Sequence, residues 1–229
     1  MNELKLVAVT AGLSKPSSTR LLTDRLVTAV AEEVGAGQDV DVRVVELRDL
    51  AVDIANNLVS GWPSEALSEA LEAVSGADGL IAVTPVFAGS YSGLFKSFFD
   101  LVEPDALSGT PVLLAATGGT ARHSLVVEHA LRPLFSYLHA LTLPRAVFAA
   151  TDDWGAGADT YAGGLPARIA RAGREFAALL APAGGDGPPH ARHEPARETP
   201  GAARAEAGAD AGADPEPEVV PFEQLLAGL

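Results

Sequence analysis

The sequence predicts an α/β domain in which five parallel strands carry helices on both faces of the sheet. Three observations predict it. Short apolar runs alternate with longer stretches of helical periodicity, from Leu4 to Leu180. The first, third and fourth runs are apolar along their length, as strands covered on both faces are. The loops that follow those same three runs are rich in hydroxyls and glycine, and in such sheets the loops at the carboxyl ends of the strands hold ligands.

Leu4 to Thr10 reads as a buried strand through Leu4, Leu6, Val7 and Val9. From Arg20 to Val34, Leu22, Leu26, Val30 and Val34 keep helical spacing, with Leu21 and Val27 widening the stripe. Gly35-Ala36-Gly37 stops that helix. Val40 to Leu47 alternates Val40, Val42 and Val44 against charge and reads as the second strand. A loop through Asn56-Asn57 and Gly61-Trp62 comes next, and Pro63-Ser64-Glu65 opens a helix with Leu67, Ala70, Leu71 and Val74 on its buried stripe.

Gly79 to Val86 is the third strand, followed by the loop Ala88–Gly93 and a helix from Leu94 to about Val102. Pro111 to Ala116 is the fourth, closed by Thr117-Gly118-Gly119-Thr120. The next helix runs from about His123 to His139 and contains Pro133, which predicts a kink or an interruption. Ala146 to Thr151 is a short fifth strand, and Pro166 to Leu180 is the last helix of the core. Alternation alone does not fix strand order. The doubly wound order 2-1-3-4-5 fits this number of elements, and it brings the three loops to one edge of the sheet.

Composition narrows the function. The 229 residues suffice for one domain with a sizeable core plus additional segments. Residues 1–181 form that domain, 182–221 are an acidic Ala/Gly/Pro-rich linker expected to be disordered, and 222–229 end the chain in a short amphipathic patch. The net charge is −14, with 21 acidic against 13 basic residues up to position 181 and 9 against 3 beyond it. So acidic a chain is not expected to bind nucleic acid through a basic face. There is no cysteine, which excludes disulfides and thiolate chemistry. No signal peptide or membrane span is read in the sequence, so the expected location is cytoplasmic.

The loop Ala11–Arg20 is the first candidate site. Its backbone N–H groups, its Ser and Thr hydroxyls and the positive end of the following helix converge, and that suits an anion, most simply a phosphate. The same hydroxyls also suit simple helix capping. Neither a P-loop nor a G-x-G-x-x-G string is present. Asp152-Asp153 reads as a turn pair, His129, His139, His190 and His193 lack ligand spacing, and Ser124 and Ser136 lack a nucleophile elbow. No metal site is expected.

Three blocks together resemble a known family. They are Ala11-Gly12-Leu13-Ser14-Lys15-Pro16-Ser17-Ser18-Thr19-Arg20; Thr84-Pro85-Val86-Phe87-Ala88-Gly89-Ser90-Tyr91-Ser92-Gly93-Leu94-Phe95-Lys96 with Asp100; and Ala116-Thr117-Gly118-Gly119-Thr120 followed by His123. Over roughly residues 4–181 the chain is similar to the NAD(P)H-dependent FMN reductases of the flavodoxin-like superfamily. More narrowly, it resembles those that supply reduced flavin to luciferase-like or alkanesulfonate-type monooxygenases. One departure stands out. The broader family often carries G-S-x-R-x-x-S after strand 1, and here the arginine position is Ser14, with Lys15 one place on.

The resemblance implies a flavodoxin-like five-stranded parallel sheet and the cofactors FMN and NAD(P)H. Ser17, Ser18 and Thr19, with Ser14 at the departed position, would hold the FMN phosphate. Pro85, Val86 and Phe87 would line the ribityl chain and ring edge, and Thr117, Gly118, Gly119 and Thr120 the polar edge of the isoalloxazine. Tyr91 and His123 would lie at a subunit interface or beside the flavin. No side-chain acid or base is expected, because hydride transfer to flavin needs positioning alone. The implied partners are a flavin-dependent monooxygenase and further copies of the chain, as a homodimer or homotetramer. An FMN-containing quinone or azo-compound reductase and a non-enzymatic flavodoxin-like electron carrier share the fold, and the fold alone does not separate them.

Overall fold

The computed structural model describes residues 3–35, 39–154 and 164–181. In chain order these form β1 (Leu4–Thr10), α1 (Ser18–Val34), β2 (Val40–Glu46), α2 (Ala51–Ser60) and α3 (Glu65–Ser75). Then come β3 (Gly79–Phe87), β4 (Ser90–Tyr91), α4 (Gly93–Phe99), β5 (Pro111–Gly118) and α5 (Arg132–Tyr137). β6 (Leu141–Thr142), β7 (Val147–Ala150) and α6 (Gly164–Leu180) complete the set. The chain divides into two units, Met1–His193 and Glu194–Leu229, and all described residues belong to the first. Positions 36 and 37 of the helix stop, the linker 182–221 and the terminal patch 222–229 lie outside the described residues.

β2, β1, β3 and β5 lie side by side in parallel, and β7 extends the sheet beyond β5. Counting only the five principal strands, this is the predicted order 2-1-3-4-5. Alternate residues of each central strand enter opposite cores. Val7, Val9, Leu80, Ala82, Val112 and Leu114 meet α2 to α5 on one face. Leu6, Ala8, Ile81, Val83, Leu113 and Ala115 meet α1 and α6 on the other. Burial on both faces is why these strands read as unbroken apolar runs.

Several elements differ from the sequence reading. The predicted loop through Asn56-Asn57 is the helix α2, preceded by a 3-10 turn over Leu47–Leu50. Buried Leu47 and Ile54 and half-buried Leu50 keep helical spacing across that junction, and their packing overrides the low helix propensity of asparagine. Gly61, in the left-handed region at φ 76°, ends α2. Within β2 the inward positions are less covered than the alternation implies: Val45 is buried and Val42 is exposed, as an edge strand permits.

The predicted loop Ala88–Gly93 is a hairpin. Ala88 and Gly89 both have positive φ, as a two-residue type I′ turn requires, and Ser90 and Tyr91 return antiparallel to Phe87 and Val86. The Thr84 hydroxyl accepts the Ser92 N–H at 3.0 Å, fixing the arm, and the Ser92 side chain caps α4 by accepting the Phe95 N–H. The helix expected over 123–139 is broken. A 3-10 turn (Ala121–His123) leads into a π segment (Val127–Leu131) directly ahead of α5. Pro133 accounts for this, since it lacks an N–H and its ring would press on the carbonyl four residues back, and a wider turn relieves both. The two-residue β6 was not anticipated; Arg132 fixes the segment after it by donating to Leu143 O at 2.8 Å and Pro144 O at 3.1 Å.

Candidate functional site

The register places the carboxyl ends of the central strands level. Thr10 pairs with Val83, Pro85 with Thr117, and Gly118 with Ala150. The loops after β1, β3 and β5 therefore leave the sheet at one rim. Two of them are bonded directly: the Thr19 and Thr117 hydroxyls lie 2.8 Å apart, both buried, across 98 positions of sequence. Thr19 thus faces inward and ties the first loop to the end of β5.

Ser17 is the N-cap of α1, its hydroxyl accepting the Arg20 N–H at 3.2 Å. Ser14 and Ser18 are exposed, and among the described residues neither side chain has a hydrogen-bond partner. Gly12 is buried beneath them, and a Cβ there would overlap the Ser17 hydroxyl and crowd Thr19 Cβ at 3.1 Å. Only glycine lets the loop close over its own cap. The Thr10 hydroxyl, at the end of β1, is buried with no hydrogen-bond partner among the described residues.

On the second loop Pro85 is buried, Val86 is half-buried and Phe87 stands 47% exposed at the hairpin. On the third, Thr117 and Gly118 belong to β5, while Gly119 and Thr120 are exposed. A Cβ on Gly118 would lie 2.8 Å from the Phe148 ring, so close packing, and not a turn, requires glycine here. A Cβ on Gly119 would meet nothing within 4 Å, which leaves its backbone open to a ligand. His123 is exposed in the 3-10 turn beside Gly118. Tyr91 lies on β4, two residues before α4 begins, with its ring 6.1 Å from Phe95. It lines a cavity of about 650 Å³ between α4 and α5 with Phe99, Pro133 and Tyr137, away from Ser14, Ser17 and Ser18.

One further residue joins the first loop. Arg48, after β2, donates to the Ser14 carbonyl at 2.9 Å and pairs with Glu46 at 2.6 Å. Glu46 also pairs with Arg20, which bonds Asp24 at 2.7 Å. Hydrogen bonding to Asp24, reinforced by Glu46, holds the Arg20 guanidinium above its ordinary pKa. Arg48 thus braces the backbone of the loop at Ser14 from the end of β2. The register Thr10↔Glu46 contains the signal that could have found Arg48, since it sets the chain after β2 beside the loop after β1.

These residues fit a phosphorylated flavin. The 17-residue α1 presents its N-terminus with no acidic residue in the first turn. Exposed hydroxyls flank it, an unpartnered buried hydroxyl lies below, and an open glycine backbone and an exposed aromatic edge the same rim. Among the described residues no group of three or more His, Asp or Glu side chains is arranged to hold a metal, and no helix is long and apolar enough to cross a membrane.

Comparison with known proteins agrees. Residues 4–155 match the family described as NADPH-dependent FMN reductase. A protein named FMN reductase (NADPH) from Pseudomonas aeruginosa is 45% identical over 150 residues, 66% of this chain and 78% of its own. One named NADH-dependent FMN reductase SfnE, from Pseudomonas putida, is 46% identical over 146 residues, 64% of this chain and 76% of its own. The X-ray structure of an oxidoreductase from Corynebacterium diphtheriae is similar with a TM-score of 0.74 at 44% identity, covering 79% of this chain and 98% of that one. An archaeal flavodoxin, at 12% identity and a TM-score of 0.52, shares the fold alone. The chain therefore belongs to the NADPH-dependent FMN reductases, flavodoxin-like enzymes that use FMN and a reduced nicotinamide nucleotide.

Proposed function

We propose that residues 1–181 catalyse hydride transfer from NAD(P)H to FMN at the rim formed by the β1, β3 and β5 loops, and that reduced FMN passes to a flavin-dependent monooxygenase. Bound FMN supplies the redox centre, its N5 being the hydride acceptor. The protein's own contribution is binding and orientation. Ser14, Ser17 and Ser18 with the α1 N-terminus take the phosphate, and Thr19 sets their position through Thr117. Pro85, Val86 and Phe87 flank the ribityl chain and ring, and Gly118, Gly119 and Thr120 offer backbone to its polar edge. The Thr19–Thr117 bond carries this reading, because it joins the phosphate loop to the ring-edge loop. The monooxygenase partner rests on the resemblance of the three sequence blocks. Assembly as a homodimer or homotetramer rests on the same resemblance.

Steady-state kinetics test it. NAD(P)H oxidation is expected to rise saturably with added free FMN. A yellow protein that reduces quinones without added flavin would replace this reading with a quinone reductase, and no oxidation under any condition would favour an electron carrier. Arg48→Met is expected to raise the FMN Kd about tenfold, as the loss of one hydrogen bond from a charged donor implies. Fluorescence titration reads it, and an unchanged Kd would show that the loop is held without Arg48.

A further inference from the structure

Buried polar side chains are few among the described residues: Thr10, Thr19, Thr23, Thr84, Ser92 and Thr117. All but one have a hydrogen-bond partner. Thr19 and Thr117 bond each other, and Thr23 donates to Thr19 O at 2.8 Å. Thr84 donates to Pro85 O at 3.0 Å, and Ser92 accepts the Phe95 N–H at 3.2 Å. Thr10, 2% exposed, has no partner for its hydroxyl among the described residues. Glu46, in register with it on β2, is committed to Arg20 and Arg48. The rest of β1 from Leu6 to Val9 is apolar. Valine has the shape of threonine without the hydroxyl, and a buried hydroxyl with no partner destabilises a fold. Fold stability alone therefore favours valine at this position.

The place of Thr10 says what the hydroxyl serves. Strand alternation sends Leu6 and Ala8 into the core beneath α1 and α6, and Thr10 follows them on that side. Gly12, two residues on, lies against Ser17 and Thr19 at the start of α1. The hydroxyl thus sits below the N-terminus of a 17-residue helix with no acidic residue in its first turn, where an anion is favoured. Among the described residues one other buried side-chain polar atom lacks a partner. It is Arg48 Nε, on the residue that holds the Ser14 carbonyl. Both orphaned groups can donate, and both lie at one loop. An anion seated there supplies the acceptor they lack.

We infer that Thr10 is a phosphate-binding residue, its hydroxyl donating to a phosphate oxygen of FMN when the loop is filled. The inference rests on the reading of this loop as the phosphate site. It goes beyond that reading by assigning a residue of the core strand itself, whose hydroxyl has no use in the flavin-free fold. At this position the stability of the flavin-free protein and its affinity for FMN are set against each other.

Thr10→Val and Thr10→Ser separate the two effects in the full-length protein. Without flavin, Thr10→Val is expected to melt about 2–4 °C above the parent, and Thr10→Ser, which loses a buried methyl group, below it. In fluorescence titrations the order reverses. Thr10→Val should raise the FMN Kd about tenfold and change the riboflavin Kd less than about twofold, while Thr10→Ser keeps both within about threefold. A lower melting temperature for Thr10→Val overturns the proposal, because the hydroxyl then has a partner within the fold. An unchanged FMN Kd, or an equal loss for riboflavin, overturns it as well. Ser17→Ala/Ser18→Ala serves as the control. If that variant discriminates between the two flavins and Thr10→Val does not, the phosphate loop stands and Thr10 has no part in it. If neither discriminates, the phosphate site itself falls.

Discussion

Replacing Phe99 by alanine is expected to lower the unfolding free energy by about 3–5 kcal/mol, the usual cost of emptying a buried phenylalanine site. Phe99 is 1% exposed, and its ring meets Phe95 at 4.7 Å, Phe98 at 5.4 Å and Phe135 at 4.9 Å between centroids. The contacts with Phe98 and Phe135 are edge-on, a geometry worth more than its buried area alone. The seven-residue α4 is too short to be stable by itself, so its position depends on these rings. Domains of this size are stable by roughly 5–15 kcal/mol, so the variant should lose a large part of its margin. Urea denaturation monitored by circular dichroism reads this as a lower midpoint at an unchanged m-value. A loss below about 1 kcal/mol would mean that the cluster closes around the void and that α4 is held elsewhere.

The parts legible in the sequence were those governed by local pattern. The central strands are legible within a few residues because burial on both faces leaves uninterrupted apolar runs such as Leu80 to Val83, and the edge strand β2 is legible by its alternation of valine with charge. Cap chemistry was legible too: Ser17 precedes the α1 stripe and caps it. What escaped depends on contacts remote in sequence. Helix α2 looked like a loop because its asparagines hide a stripe completed only by the core. Nothing local marks Thr19 as inward-facing, for its partner is 98 positions away. The resemblance set Gly118 at the ring edge, but nothing local shows that Phe148, on the neighbouring strand, leaves no room for a Cβ there. Arg48 carries no motif at all, and only the pairing of β1 with β2 brings it to Ser14.

That inward threonine also changes how the phosphate loop is best tested. Ser17→Ala/Ser18→Ala is expected to weaken FMN binding about a hundredfold while changing riboflavin binding about threefold or less. Hydrogen bonds to a charged group contribute about 1.5–3 kcal/mol each, and two of them at the lower end give that factor. Riboflavin lacks the phosphate, so it reports only collateral damage to the loop. Some damage is expected, because Ser17 caps α1 and losing a cap costs about 1 kcal/mol of stability. Thr19→Val belongs in a separate variant. It leaves the Thr117 hydroxyl buried without its partner, at a cost of about 1–3 kcal/mol, and should move stability before it moves flavin selectivity. If the double serine variant loses both flavins equally, the hydroxyls act only as caps and the phosphate is held elsewhere. If Thr19→Val alone reproduces the FMN-selective loss, its hydroxyl turns to the ligand and the bond to Thr117 does not persist when flavin binds.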